Sequence, residues 1–349
     1  MTQSVPNKST AILAFGLTLV LTLVLAGCRQ PDTTWLVVDR DADPRNLGGH
    51  PGALFTVDPK SGKVEVLCAS GKWQDPVDVL RHRDALLVLD YGDSSTGGIF
   101  RVSGSGMEVS ALQLPKGLVD PTHFQMTSDG AIWIVDKNAD PLGLGKAANL
   151  STGTLWRLSP DHSQLEIMAT GPPLRAPACV QFVDGVPYLL DADAFRTEPI
   201  SEEGAIFRVH RHPRPVETVV RLKGLVSPIS MQPFRGQTFL VVDVNADPEQ
   251  RGRFRGAVYL VDPKAASTTL FCHDPEFRDP ACGLLLGDHL LLVDASADPN
   301  HYGKDDLGQG YGGYGRGALF RIDLAKRRAS LVCASKQFVN PVRVRLLHQ

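Results

Sequence analysis

What this chain lacks sets the first bounds. After residue 27, none of its 349 residues falls in a run approaching 18 consecutive apolar side chains, so no later segment reads as a membrane-spanning helix. No long stretch carries apolar residues at helical spacing, which argues against a helical or doubly wound fold. Neither charge sign dominates. Thirty-six Lys and Arg stand against 38 Asp and Glu, which gives no reason to expect a nucleic-acid partner. The patterns G-x-S-x-G, H-E-x-x-H and C-x-x-C are absent, and with them the commonest sequence signals of serine hydrolases, zinc proteases and thioredoxin-like chemistry. Gly and Pro, by contrast, are plentiful at 33 and 25 residues, which suits short strands and many tight turns.

The N-terminus reads as a processing segment. Lys8 supplies a positive start, Ala11 to Leu25 is almost wholly apolar, and the run closes on Leu25-Ala26-Gly27-Cys28. Fifteen residues are short for a bilayer span and right for a signal-peptide core. The closing tetrad resembles the bacterial lipobox, whose cysteine is acylated, with palmitate for example, and becomes the new N-terminus. The resemblance implies a signal peptide over 1–27, a lipidated Cys28 with a short tether over 28–34, and a folded domain over 35–349. Arg29, where retained inner-membrane lipoproteins carry Asp, implies export to the envelope with the outer membrane favoured. Removing Lys8 leaves 35 basic and 38 acidic residues, net −3. Five cysteines remain, an odd number in a compartment where disulfides form. Cys272 and Cys282, which flank one loop, are the easiest pair to imagine bridged, although sequence does not settle connectivity.

One apolar strand ending in aspartate recurs six times, closing on Asp39, Asp90, Asp136, Asp191, Asp243 and Asp294. A period near 50 residues marks propeller blades or a similar array. Each copy is followed by a second strand opening on glycine, as in GALFTVD from Gly52 and GALFRID from Gly317. A third strand comes next, and then a fourth opening on proline, as in DPVDVL at Asp75 and NPVRVRL at Asn340. A lone four-stranded sheet cannot bury both faces; six stacked radially can. The fold class is therefore all-β, a six-bladed β-propeller with four-stranded blades. The first repeat lacks its proline strand and the C-terminus has a spare one, so the C-terminal strand is expected to join the N-terminal blade and close the ring.

The succession of proline, inner strand, LLVxD, loop and GxxFRVD is similar to the NHL and gluconolactonase (senescence-marker) type of six-bladed propeller, over Trp35 to His348. Such propellers include lactonases, lyases and pure binding or scaffold modules. The lactonases hold calcium in the central channel with Glu, Asn and Asp from inner strands. Two residues after each proline this chain carries Asp78, His123, Cys179, Ser230, Cys282 and Arg343, a set with one carboxylate and no glutamate.

Four loops carry D-x-x-A-D-P. Oxygen ligands at alternate positions of a turning loop suit a hard cation, which makes Asp39, Asp41, Asp43, Asp136, Asn138, Asp140, Asp243, Asn245 and Asp247 candidate calcium ligands. The same residues also suit structural turns, because Asp accepts turn N–H groups and Asp-Pro starts turns. Thirteen carboxylates of these and the equivalent loops, Asp93 included, fall on one face, which would favour cationic ligands. Tyr302, Tyr311 and Tyr314 in a Gly-rich loop are candidate ligand-stacking residues. His123 and Cys179, at equivalent positions on adjacent blades, are the weak catalytic candidates, as base and nucleophile or as ligands of a soft metal. Asp78 and Arg343 are expected to form an ion pair where the ring closes. The reading that results is a lipid-anchored, extracytoplasmic propeller that binds a small molecule or protein partner on its Asp-rich face, with calcium as a candidate cofactor. The alternatives are a metal-dependent lactonase, esterase or lyase, and a structural envelope scaffold.

Overall fold

The structure, a computed structural model, describes residues 34–48, 51–92, 97–104, 107–148, 152–195, 203–210, 216–249, 255–300 and 316–347. Cys28, Asp93, Tyr302, Tyr311 and Tyr314 lie outside them.

Six four-stranded antiparallel sheets form six blades of a β-propeller. The chain enters with β1 (Trp35–Asp39), β2 (Ala53–Val57) and β3 (Val64–Ala69). Five complete blades follow. The first has β4 (Pro76–His82), β5 (Ala85–Asp90), β6 (Gly98–Ser103) and β7 (Glu108–Ala111); the second has β8 (Pro121–Met126), β9 (Ile132–Asp136), β10 (Thr154–Leu158) and β11 (Leu165–Thr170). The third has β12 (Pro177–Val183), β13 (Val186–Asp191), β14 (Gly204–Val209) and β15 (Val216–Leu222); the fourth has β16 (Pro228–Phe234), β17 (Thr238–Asp243), β18 (Ala257–Asp262) and β19 (Ser267–Cys272). The last has β20 (Pro280–Leu286), β21 (His289–Asp294), β22 (Ala318–Asp323) and β23 (Arg328–Ala334), and β24 (Pro341–Leu346) ends the chain's strands. A five-residue helix, α1 (Leu144–Ala148), interrupts one loop.

The ring closes as the split repeat requires. β24 pairs antiparallel with β1, placing Val344 opposite Val37 and Leu346 opposite Trp35, so the N-terminal blade runs β24-β1-β2-β3. The inner strands β4, β8, β12, β16, β20 and β24 then pack each against the next in an unbroken circle.

The period-two pattern explains where the core lies. Leu36 and Val38 of β1 face the blade that follows and pack with Val79 and Val88, whereas Trp35 and Val37 face the blade behind and pack with Leu291 and Val293. Each middle strand is thus buried on both faces, which is why these segments read as continuous apolar runs rather than alternating ones. A large apolar residue three positions before each inner-strand proline (Trp73, Leu118, Leu174, Leu225, Phe277 and Phe338) is buried in the same wedges. Neighbouring blades also meet where glycine touches proline. At Gly52, which has φ +75°, a Cβ would sit 2.5 Å from the Pro76 ring and 2.7 Å from the Arg40 carbonyl, so only glycine fits. The equivalent glycine meets the next inner-strand proline in all six blades, ending with Gly317 against Pro341.

The expected Cys272–Cys282 bridge does not form. Cys272 ends an outer strand and Cys282 belongs to the inner strand of the next blade, at opposite radial positions. Cys68, Cys179, Cys272, Cys282 and Cys333 are all free, buried thiols. Burial pushes the Cys272 and Cys333 thiols up to about 12.

Candidate ligand site at the channel mouth

The strand-ending aspartates turn inward rather than outward. Asp39, Asp136, Asp191, Asp243 and Asp294 are fully buried, and Asp90 nearly so. Each carboxylate accepts backbone N–H groups from the turn that leads into its own blade's inner strand. Asp39 accepts from Val339 at 2.8 Å and Asn340 at 3.0 Å, three hundred residues away, and from Ala42 at 3.0 Å in its own turn. Asp136 does the same with Val119, Asp120 and Ala139, and Asp294 with Arg278, Asp279 and Ala297. The alanine of D-x-x-A-D-P (Ala42, Ala139, Ala246 and Ala297) is buried beneath the turn. Burial outweighs the N–H donors and pushes Asp39 and Asp294 up to about 6 and Asp191 up to about 7.

The candidate calcium residues therefore have divided duties. Asp41 accepts from the Asn340 amide at 2.8 Å, and Asp43 caps the Leu47 and Gly48 N–H groups at 2.7 Å each. Asn138 donates to Asp120, while Asp140 accepts from Leu144, Gly145 and Lys146. Asp243 accepts from Val226, Ser227 and Asn245; burial, with the nearby Asp243 and Asp247 carboxylates adding to it, pushes the Tyr259 phenol up to about 12. Among the described residues, no three His, Cys, Asp or Glu side chains converge as a metal-ligand set. The loops of this face also hold cations. Arg40, in the first of them, forms a two-pronged pair with Asp75 and lies 5.8 Å from the Tyr91 ring centre.

A β-bulge shapes the channel mouth. In β4, Pro76 pairs with Asp90 and Asp78 with Leu89, which leaves Val77 as an extra residue. The same slip recurs in every inner strand, at Thr122, Ala178, Ile229, Ala281 and Val342. Bulges re-aim side chains, and all six bulged residues line a pocket of about 610 Å³. Its rim is built with the same sixfold logic. The residue after each strand-ending aspartate (Arg40, Tyr91, Lys137, Ala192, Val244 and Ala295) donates its N–H to the carbonyl preceding the inner-strand proline, at 2.9–3.1 Å, and lines the pocket. Asp193, Asn245, Asp279 and Asn340 add polar groups to the rim, and Arg343 reaches the pocket from the inner ring.

Beneath the mouth, the residues two after each proline fill the channel. Asp78, His123, Cys179, Ser230, Cys282 and Arg343 are all buried. Several of these side chains accept an N–H from the next blade: Phe124 to Asp78 at 3.3 Å, Val180 to His123 Nδ1 at 3.4 Å, and Gly283 to Ser230 at 3.4 Å. The expected Asp78–Arg343 pair is present at 3.5 Å, but Arg345, which pattern reading missed, is the closer partner, with Nη2 at 2.8 Å and Nε at 3.1 Å. The guanidinium groups hold Asp78 down to about 2 against its burial. Burial drives His123 well below the usual imidazole range, so it is neutral.

His123 and Cys179 face different partners. His123 Nε2 lies 3.4 Å from Arg345 and 3.9 Å from Asp78. The Cys179 thiol lies 3.8 Å from the Met231 carbonyl and receives Gln181 at the same distance. Burial raises that thiol, so it is not an activated nucleophile.

The fold and site together define the class: a six-bladed β-propeller with a recess at one end of its central channel. No family model and no curated protein matches the chain. Solved structures do. A chain of the nidogen/laminin complex aligns over 89% of this chain and 97% of its own, at 13% identity and a TM-score of 0.58. TolB from Acinetobacter baumannii aligns over 90% of this chain and 66% of its own (13%, 0.53), and a putative 6-phosphogluconolactonase from Bacteroides fragilis over 91% and 99% (11%, 0.52). At such identities the likeness shows the fold alone.

Proposed function

We propose that the chain is exported, held at the cell envelope by a lipid on Cys28, and binds a small molecule, or the projecting group of a protein partner, in the channel-mouth pocket. One observation carries the binding part: every blade spends a bulge to turn one extra side chain into the same 610 Å³ recess. The recess is concave, with the apolar bulged side chains at its base and polar groups converging on it from the rim and from Arg343, an arrangement that suits a small ligand. The lipobox-like tetrad and the apolar run before it support export and anchoring. Calcium is not required for this binding; Asp39, Asp43, Asp136, Asp140 and Asp243 already accept backbone N–H groups.

Blocking the recess tests the binding part. Ile229 lines the pocket, is only half-buried, and takes no part in the buried charge cluster. Ile229→Trp is expected to abolish binding of ligands found by NMR fragment screening of the full chain, with the melting temperature little changed. Fragments that bind the variant as well as the wild type would overturn the pocket as the site.

A further inference from the structure

Counting charges below the mouth distinguishes one residue. Asp78, His123, Arg343 and Arg345 form one buried cluster spanning β4, β8 and β24. With His123 neutral, it contains two guanidinium cations and one carboxylate. The carboxylate serves Arg345 first, at 2.8 and 3.1 Å, and Arg343 only at 3.5 Å. Arg343 is 7% exposed and lines the pocket. A guanidinium has five N–H donors. Here Nη1 meets a thiol, Cys282 Sγ at 3.4 Å, and Nη2 meets the Thr122 carbonyl at 3.3 Å, while Nε faces the Asp78 carboxylate at 3.5 Å without a hydrogen bond. A buried cation whose one anion is 3.5 Å away and shared with a nearer guanidinium is under-compensated, and its spare donors suit a second anion. Above it the bulged side chains are Val77, Ala178, Ile229, Ala281 and Val342, with Thr122 as the one hydroxyl. The rim carboxylates Asp193 and Asp279 belong to the loops above this ring, and burial raises Asp279 toward its neutral form.

We infer that the pocket takes a small organic anion, with its carboxylate on the Arg343 guanidinium and its apolar body against the bulged ring. The inference rests on the pocket reading above and assigns that pocket its ligand class, opposite in sign to the cation that thirteen loop carboxylates suggest from sequence. The binding step is non-covalent. Arg343 is the anchor, and Lys137 on the rim favours entry of an anion.

Matched probes of one shape and three charges test it. Hexanoate, hexanamide and hexylamine are titrated against the full-length chain in nanodiscs by ligand-detected NMR, with Ile229→Trp as the control for partition into lipid. Hexanoate is expected to bind at least about tenfold more tightly than hexanamide, as a buried charge-assisted pair requires. Ile229→Trp should lose hexanoate, Arg343→Lys should keep the preference in weaker form, and Arg343→Met should lose it. Should the Arg343 variants fail to fold, the ratio in the wild type decides. Equal binding of amide and carboxylate overturns the anion and leaves the pocket reading standing. Preference for the amine overturns it in favour of the acidic rim. Binding of all three that survives Ile229→Trp, or binding of none, overturns both.

Discussion

Asp78 shows how much depends on single residues here. It is buried between two blades and, among the described residues, is the only carboxylate paired with Arg343, Arg345 and His123. Removing one partner of a buried ion pair leaves the others uncompensated, so Asp78→Ala is expected to cost about 3–5 kcal/mol in urea-denaturation free energy. Asp39, Asp191 and Asp294 make the opposite pH argument from Asp78. The folded chain keeps their protons up to about 6–7, whereas the unfolded chain releases them near 3.8. Folding therefore takes up protons in that window, and the stability these groups contribute declines as pH rises from 4 to 7. Asp78, held down to about 2, contributes stability that is present above 3.8 and lost as pH falls toward 2. Urea midpoints measured between pH 3 and 8 should accordingly peak on the acid side of neutrality. Asp191→Asn, which cannot ionise, should flatten the decline between pH 4 and 7; an unchanged slope would show that Asp191 titrates as in the unfolded chain.

Among the elements, β24 has the largest structural duty per residue. It supplies the inner strand of the N-terminal blade, carries Arg343 and Arg345, and covers Val37 in the wedge between the first and last blades. Deleting residues 341–349 would bare the edge of β1 and strip Asp78 of both cations. The shortened chain is expected to lose cooperative unfolding by circular dichroism and to become protease-sensitive. A sharp, native-like transition would mean that the ring tolerates an open seam. The inner strands also show where pattern reading stops. Counting by twos from each proline correctly turns Asp78, His123 and Arg343 toward the axis. It does not reveal the extra residue, because a bulge is a property of the pairing with the middle strand. The signal was available in the recurrence of small or aliphatic residues (Val77, Ala178, Ile229, Ala281, Val342) one after the proline, but nothing in a single strand says that they face a pocket.

At the scale of the whole molecule, the anchor and the ring are separate questions. The lipid on Cys28 would confine the propeller to a membrane surface, where a single acyl chain gives marginal binding and a second makes it stable. Cys28→Ala is expected to abolish labelling by a palmitate analogue and to move the protein from the membrane to the soluble fraction. Continued labelling would remove the lipoprotein proposal and leave the channel mouth untouched. Six near-equivalent blades of about 50 residues were legible because each repeats the same punctuation, glycine before one strand and proline before another. Closure was legible because the chain begins one strand into a repeat and ends one strand into the next. The loop face offers less charge to solvent than a count of its carboxylates gives, for a physical reason. A carboxylate counted in a loop is negative charge offered to solvent only if nothing else claims it, and Val339 and Asn340, which claim Asp39, lie 300 residues downstream.

Local pattern thus determined the strands, their number, the closed ring and the Asp78–Arg343 contact, since side-chain alternation and turn residues act within a few positions of each other. Only the tertiary structure decided which carboxylates accept backbone donors, that Arg345 lies closer to Asp78 than Arg343 does, and that the bulged residues wall a recess. Those outcomes depend on distances between atoms of different blades, and such distances exist only once the ring has closed.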